Sequence, residues 1–420
     1  MFFRILLIGS IILFFLNPAL FSQTKPKKLF DLDSKNKESV KSFYKDFYLR
    51  SGRVQNQWTG SIATCSAGEN SKEYTQASLK RINFYRILAG LSPIVELVEE
   101  YNRKALQSSL IMEAANKLSH YPSSSWKCFS PEGKEGAENS NLALEPGTAG
   151  IDSYIEDQGP DNYFVGHRRW ILFPQLLTMG SGSTKSANSL WVFGERSSSN
   201  IKPEFVAWPP EGYVPADLFV SQNYRWSFSK ANADFSKAKM SLVSQGKNFT
   251  TIKEKNMNGA GDNTLVWRTN LNLNGVINDL KVTIKIENVL VGGEFKSYQY
   301  DVIFFQPFSV EELSQGPSET IQTNPDLDFK VTTLAFGGDL IAMKRLLESG
   351  GNPNAIQPTG WSALLIATSK NQTHMAKLLV LYGAEIDFTL NGWTPLKFAN
   401  YYNNTELIQF FEEYTKNGKP

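Results

Sequence analysis

Three histidines stand among 420 residues. Two of them, His120 and His167, have carboxylates close by in the chain. Glu138 lies between them in Gly-Ala-Glu-Asn, and the pair Glu156-Asp157 lies in Tyr-Ile-Glu-Asp. Neutral imidazole ligates divalent metals and moves protons near neutral pH, while a carboxylate can orient the ring, coordinate, or act as a base. Gathered in one cleft, His120, Glu138, Glu156, Asp157 and His167 form a candidate catalytic cluster, with His120 and His167 as candidate metal ligands. The plainer alternative is a set of helix-end histidines hydrogen-bonded to neighbouring acids. His374 reads as a surface residue on a repeat helix.

His167 sits in Gly166-His167-Arg168-Arg169-Trp170. In a helix starting near Val165, His167, Trp170 and Ile171 share one face, and Arg168 and Arg169 rotate about 100° and about 200° away from it. Other chemistries find little support. No G-x-S-x-G is present, so a hydrolase nucleophile elbow is not signalled. Met179-Gly-Ser-Gly-Ser-Thr-Lys185 lacks phosphate-loop spacing and reads as a turn before a strand at Leu190-Trp-Val-Phe193.

The elements that must position these residues come from several domains. Length over about 150 suggests two to four. With 20% charged residues and a net charge of +2, the composition is that of ordinary globular protein and argues against a nucleic-acid partner. Arg4, an apolar run from Ile5 to Leu16, Asn17-Pro18 and small residues at Ala19 and Ser22 are laid out like a cleaved secretory signal over 1–22. An uncleaved anchor is the rival, and no cysteine follows the run to carry a lipid. The expected location is therefore secreted, periplasmic or cell-surface. In that oxidising setting the two cysteines, Cys65 and Cys128, pair as a disulfide.

Residues 23–52 read as a polar, partly flexible lead-in, rich in Lys and Asp. Apolar spacing predicts helices from Tyr74 to Leu88, stopped by Gly90, from Glu99 to Ser119 with His120 at its end, and at Gly150–Ile155. Past Asn200 the period becomes two, as in Leu280-Lys-Val-Thr-Ile-Lys-Ile286. Strands are expected there at Phe205–Trp208, Arg225–Ser229, Lys239–Val243, Thr264–Arg268 and Tyr298–Val302, forming an antiparallel, immunoglobulin-like sandwich over 201–310. After a linker at 311–325, Leu346-Leu347, Leu378-Leu379 and Phe410-Phe411 recur every 32 residues. That period marks a solenoid of stacked helix pairs over 326–417.

Two family resemblances follow. Thr394-Pro-Leu-Lys-Phe-Ala399 resembles the ankyrin consensus, with Lys397 where that family usually has His. Ser362-Ala-Leu-Leu-Ile-Ala367 is a looser copy, and a first, degenerate repeat makes three. Residues 53–200 resemble a CAP (SCP) domain of bacterial type, the superfamily of cysteine-rich secretory proteins, antigen 5 and pathogenesis-related proteins. The motifs are Ile82-Asn-Phe-Tyr-Arg86 with Gly90-Leu91, Leu118-Ser-His120, and Gly166-His167-Arg-Arg-Trp-Ile-Leu172.

This second resemblance implies an α-β-α sandwich, for an α+β chain overall, whose cleft is lined by two histidines and two acids. Some members hold a divalent metal there, such as Zn²⁺. The first acid is Glu138, or the position falls on Ser140 if Ser140-Asn141-Leu142 sets the register. The second is Asp157, with Glu156 beside it. The family's roles are mostly binding, so the expected function is that of an exported interaction protein. Its cleft takes a lipid, sterol or peptide, and its ankyrin repeats take a protein partner. A metal-dependent hydrolase and a structural or adhesive surface protein are the alternatives.

Overall fold

The computed structural model describes residues 32–416 apart from 53, 55, 198–202, 220–223, 258, 260, 274–277, 308–324, 338, 339, 349 and 358. The signal-like run and nearly all of the 311–325 linker lie outside the described residues. Within them, no helix is long and apolar enough to cross a membrane.

Where the sequence suggests a flexible lead-in, residues 37–52 are helical: α1 Lys37–Phe43, a π-helical stretch Tyr44–Leu49, and α2 Arg50–Gly52. Asn36 caps the start by accepting from Ser39 N–H at 3.1 Å. Among the lysines runs an apolar stripe, in which Val40, Phe43 and Tyr44 are fully buried. Charge on one face had hidden a helix that is core on the other.

Next come α3 Lys72–Leu88, α4 Glu99–Ala115, α5 Pro131–Glu138, α6 Gly147–Glu156 and α7 Gly166–Ile171. Gly90 closes α3 as expected, at φ 74°, with Leu91 N–H on Arg86 C=O at 2.8 Å. By contrast, α4 stops four residues short of Ser119. Asn116 turns left-handed at φ 49° and Lys117 N–H reaches back to Met112 C=O at 3.3 Å, the closing geometry of a helix C-terminus. Leu118 is therefore exposed, and His120 sits in a loop, not on a helix.

These helices cover a four-stranded sheet of β1 Glu96–Leu97, β2 Ser140–Ala143, β3 Thr178–Ser183 and β4 Asn188–Trp191, in the order β1-β3-β4-β2. β1 runs parallel to β3, and the other pairs are antiparallel. Alternation assigns the layers. Gly182 and its cross-strand partner Ser189 face α4, where Ser109 Oγ bonds Ser189 Oγ at 3.0 Å; Ser183 and Asn188 face α6.

The stretch read as a Gly/Ser turn is thus the central strand β3. Its glycines are there because α4 lies directly on them. A Cβ on Gly182 would come 2.1 Å from Leu106 N, and one on Gly180 would come 2.3 Å from Tyr101 Cβ.

A β-rich part, called the β domain below, follows with β5 Val206–Trp208, β6 Gly212–Pro215, β7 Trp226–Ser229, β8 Ala233–Asp234, β9 Lys239–Ser244, β10 Lys247–Phe249, β11 Thr251–Lys253, β12 Thr264–Thr269, β13 Leu280–Val291 and β14 Glu294–Phe305. One sheet runs β10-β9-β13-β14-β6 with β8 beside β13, and the other runs β11-β12-β7-β5. Period-two alternation sends Trp226 and Phe228 of β7 against Phe304 and Tyr298 of β14, at ring separations of 5.8 and 5.2 Å, so aromatic rings fill the space between the sheets. The sequence pointed to purely antiparallel pairing, but β6 joins β14 in parallel. β6 is also tied to the N-terminal segment, Tyr213 N–H donating to Ser34 C=O at 2.8 Å.

Helix pairs complete the chain: α8 Pro325–Gly337 with α9 Leu340–Glu348, α10 Ala363–Ser369 with α11 Thr373–Leu381, and α12 Pro395–Tyr401 with α13 Thr405–Lys416. First helices stack on first helices and second on second. Ser362 and Thr394 cap α10 and α12 through their hydroxyls, each at 3.2 Å from the main-chain N–H three residues on. Repeated Ala335, Ala367 and Ala399 are buried in one continuous core with Leu347, Leu379 and Phe411.

This stack is docked, not tethered. The Lys344 ammonium of α9 donates to Tyr44 Oη at 2.6 Å and lies 4.3 Å from the centre of the Tyr48 ring. The Tyr44 hydroxyl in turn donates to Asp217 Oδ2 of the β domain at 2.6 Å.

Candidate functional site

α6 ends because Asp157 enters the left-handed region at φ 54°. Its carboxylate is then set at the start of α7. There the N-cap residue is Val165, whose side chain can cap nothing. Asp157 supplies that cap from a distance: Oδ2 accepts from His167 N–H at 2.9 Å and from Arg168 N–H at 3.3 Å. The other oxygen, Oδ1, meets His167 Nδ1 at 2.7 Å. One buried carboxylate thus starts the helix and orients the imidazole.

With Nδ1–H on Asp157, Nε2 is the nitrogen left open, and no described residue partners it. Burial pulls the ring toward its neutral form, but the hydrogen bond and charge of Asp157 outweigh that and raise the His167 pKa above its ordinary value. The Tyr154 ring stands 5.7 Å away, and Asn141 Nδ2 donates to His167 C=O at 3.1 Å.

His120 is held by a main-chain carbonyl instead of a carboxylate. Its Nδ1 lies 2.9 Å from Ala137 C=O, again leaving Nε2 open. The His120 ring thus meets α5 through Ala137, and the His167 main chain meets β2 through Asn141. The loop carrying His120 is fastened by the expected Cys65–Cys128 disulfide, with Cα atoms 4.9 Å apart, and by Trp126 packed on the Ile111, Met112 and Ala137 cluster.

The acids divide. Asp157 is joined to His167, whereas Glu138 ends α5 in an ion pair with Lys134. Glu156 is buried and accepts from Gln158 Nε2 at 3.0 Å. Ser140, the other candidate for the first acidic position, is buried with Oγ unpartnered among the described residues. No group of three or more His, Cys, Asp and Glu that could hold a metal ion exists among the described residues. His374 is half-buried on α11, and burial lowers its pKa.

The arginines are the largest correction. Arg168 and Arg169, read as turned away beside an inward histidine, are 1% and 5% exposed, while His167 keeps a partly open side chain. Arg168 donates to Ile155, Glu156 and Arg225 carbonyls at 2.5, 3.1 and 2.7 Å and to Ser227 Oγ at 3.1 Å. Arg169 donates to Met257 and Asp262 carbonyls, both at 2.9 Å, and burial lowers its pKa to about 10. From the other side Arg86 holds Ile171, Phe173 and Leu176 carbonyls, with a burial-lowered pKa of about 9.

These residues were missed for one reason. Their acceptors, Ser227 Oγ apart, are main-chain carbonyls, which every residue owns, so no charged partner marks them in the sequence.

A family model of ankyrin repeats (3 copies) matches residues 333–418. The CAP resemblance has no family-model match, and no curated protein matches the chain. The stacked helix pairs at the C-terminus are ankyrin repeats, a module that generally mediates binding to protein partners.

Proposed function

We propose that this chain is an exported interaction protein. Its ankyrin stack grips a protein partner, and its CAP-like layer offers a lipid, sterol or peptide a cleft beside His120 and His167. One observation carries the reading. The stack is docked through a second-row helix, α9, while the first-row helices and the turns before them carry an aromatic strip. Trp361 and Trp393 flank Phe398 at 6.0 and 4.4 Å, Tyr401 follows Trp393 at 5.9 Å, and Tyr402 follows Tyr401 at 5.0 Å. Trp393, Tyr401 and Tyr402 are exposed. Exposed Trp and Tyr clusters are where binding energy concentrates in protein interfaces.

The test is affinity capture with cross-link mapping, comparing the full chain with a Trp393→Ala, Tyr401→Ala variant. A partner cross-linked at the strip, and bound at least about tenfold more weakly by the variant, supports the reading. Equal binding by the variant refutes it.

For a divalent metal, the residues offer two imidazole Nε2 atoms, while Asp157 is spent on Nδ1 of His167 and Glu138 on Lys134. That set falls short of the three protein ligands of a catalytic zinc site, so no hydrolytic step is derived through one.

A further inference from the structure

The loop after α6 holds Asp157 in a conformation that a non-glycine residue adopts at a cost of about 1 kcal/mol, so something must keep it there. Two guanidiniums do. Arg168 takes the carbonyls of Ile155 and Glu156, and Arg225 takes those of Asp157 and Gly159 at 3.0 and 2.8 Å. Four of the five carbonyls from 155 to 159 are thereby fixed. The clasp is reciprocal: Arg168 belongs to α7 and reaches into the β domain, to Arg225 C=O and Ser227 Oγ. Arg225 stands immediately before β7 and reaches back. Its own guanidinium is flanked by Glu254, which also pairs with Arg268 at 2.7 Å.

We propose that Arg225 of the β domain is a positioning residue for the Asp157–His167 pair, so that the histidine site of the helix–sheet–helix domain is complete only when the β domain is joined to it. The proposal rests on reading His167 as a ligand-facing residue. Its geometry is independent of which ligand binds. Arg225 touches no group of the histidine; it acts through the backbone of Asp157. Removing it frees two carbonyls and lets Asp157 leave the left-handed region, drawing its carboxylate off Nδ1.

Imidazole N–H resonances of the ¹⁵N-histidine-labelled full chain, recorded at one pH without metal or ligand, test this in Arg225→Met and Arg225→Lys. His167→Ala and His120→Ala assign the signals. His120, held on Ala137 C=O, is the internal control for an intact fold. The expected result in the methionine variant is a His167 Nδ1–H that exchanges with solvent at least about tenfold faster, with the His120 signal unmoved. The lysine variant, which keeps the charge and part of the donor set, is expected between the two.

An unchanged His167 signal in either folded variant overturns the proposal. So does loss of the His120 signal in both variants, because Arg225 would then be a general fastener of the domains. Since no ligand is added, failure here is distinct from failure of the ligand-cleft reading, which unchanged ligand affinity in His167→Ala would show.

Discussion

His167 carries two opposing influences, and their balance fixes a pH dependence. Its folded-state pKa is raised, so its stabilising contribution is fully present below the unfolded value of about 6.5 and is lost as pH rises through the higher folded value. The difference in unfolding midpoint between the wild-type chain and His167→Gln, measured in chelator, is expected to be larger at about pH 5.5 than at about pH 8.5. The groups facing the imidazole are the Asp157 carboxylate and the Tyr154 ring. His374 works the other way, its lowered pKa removing stability as pH falls, but it is common to both proteins and cancels in the difference. A midpoint difference that does not change with pH would mean that Asp157 serves α7 as a cap and gives the ring nothing.

Elements were legible in the sequence where burial leaves a one-sided pattern and illegible where it does not. Alternation announced β13 and β14 because one face of each strand meets the other sheet. The 32-residue period announced the repeats because every pair buries an alanine and, at the paired position, Leu347, Leu379 or Phe411. β3 was invisible. Its close approach to α4 demands residues with no side chain, and Gly-Ser-Gly-Ser is also what a turn looks like.

Gly182→Ala separates collision from backbone preference. Its added carbon meets main chain that cannot move aside, which should cost about 1–3 kcal/mol and register in urea unfolding. Gly292→Ala, in open space at φ 61°, should cost only the left-handed penalty of about 1 kcal/mol. Equal losses would show that α4 yields. The site was legible only in part for the same reason: three histidines in 420 residues can be singled out, whereas the arginines around them speak mostly to backbone.

On the scale of the whole molecule, the ankyrin stack is fastened to the body through Lys344, Tyr44 and Asp217. Truncation from residue 325 would expose Tyr44, which is fully buried in the complete chain. The remaining body is expected to unfold cooperatively still, at a midpoint lowered by several degrees in calorimetry. Lys344→Met, which keeps an apolar side chain of similar length but loses the ammonium's contacts with Tyr44 and Tyr48, should fall between. A truncated chain with no cooperative transition would make the repeats part of one inseparable fold. Equality of truncated and full chains would make the docking contact energetically idle.

The helical segment 37–52 touches elements from three widely separated parts of the chain. Tyr48 bonds Asp152 of α6, Tyr44 bonds Asp217 of the β domain, and Lys344 lies 300 residues from Tyr44 in sequence. This has a consequence in time. Synthesis proceeds from the N-terminus at roughly 5–20 residues per second, so the 300 residues between Tyr44 and Lys344 keep this segment waiting about 15–60 s for the helix that covers it. Through that interval the ring of Tyr44 lacks the cover that the repeats give it in the finished fold. A segment made long before its partner is finished only when that partner arrives.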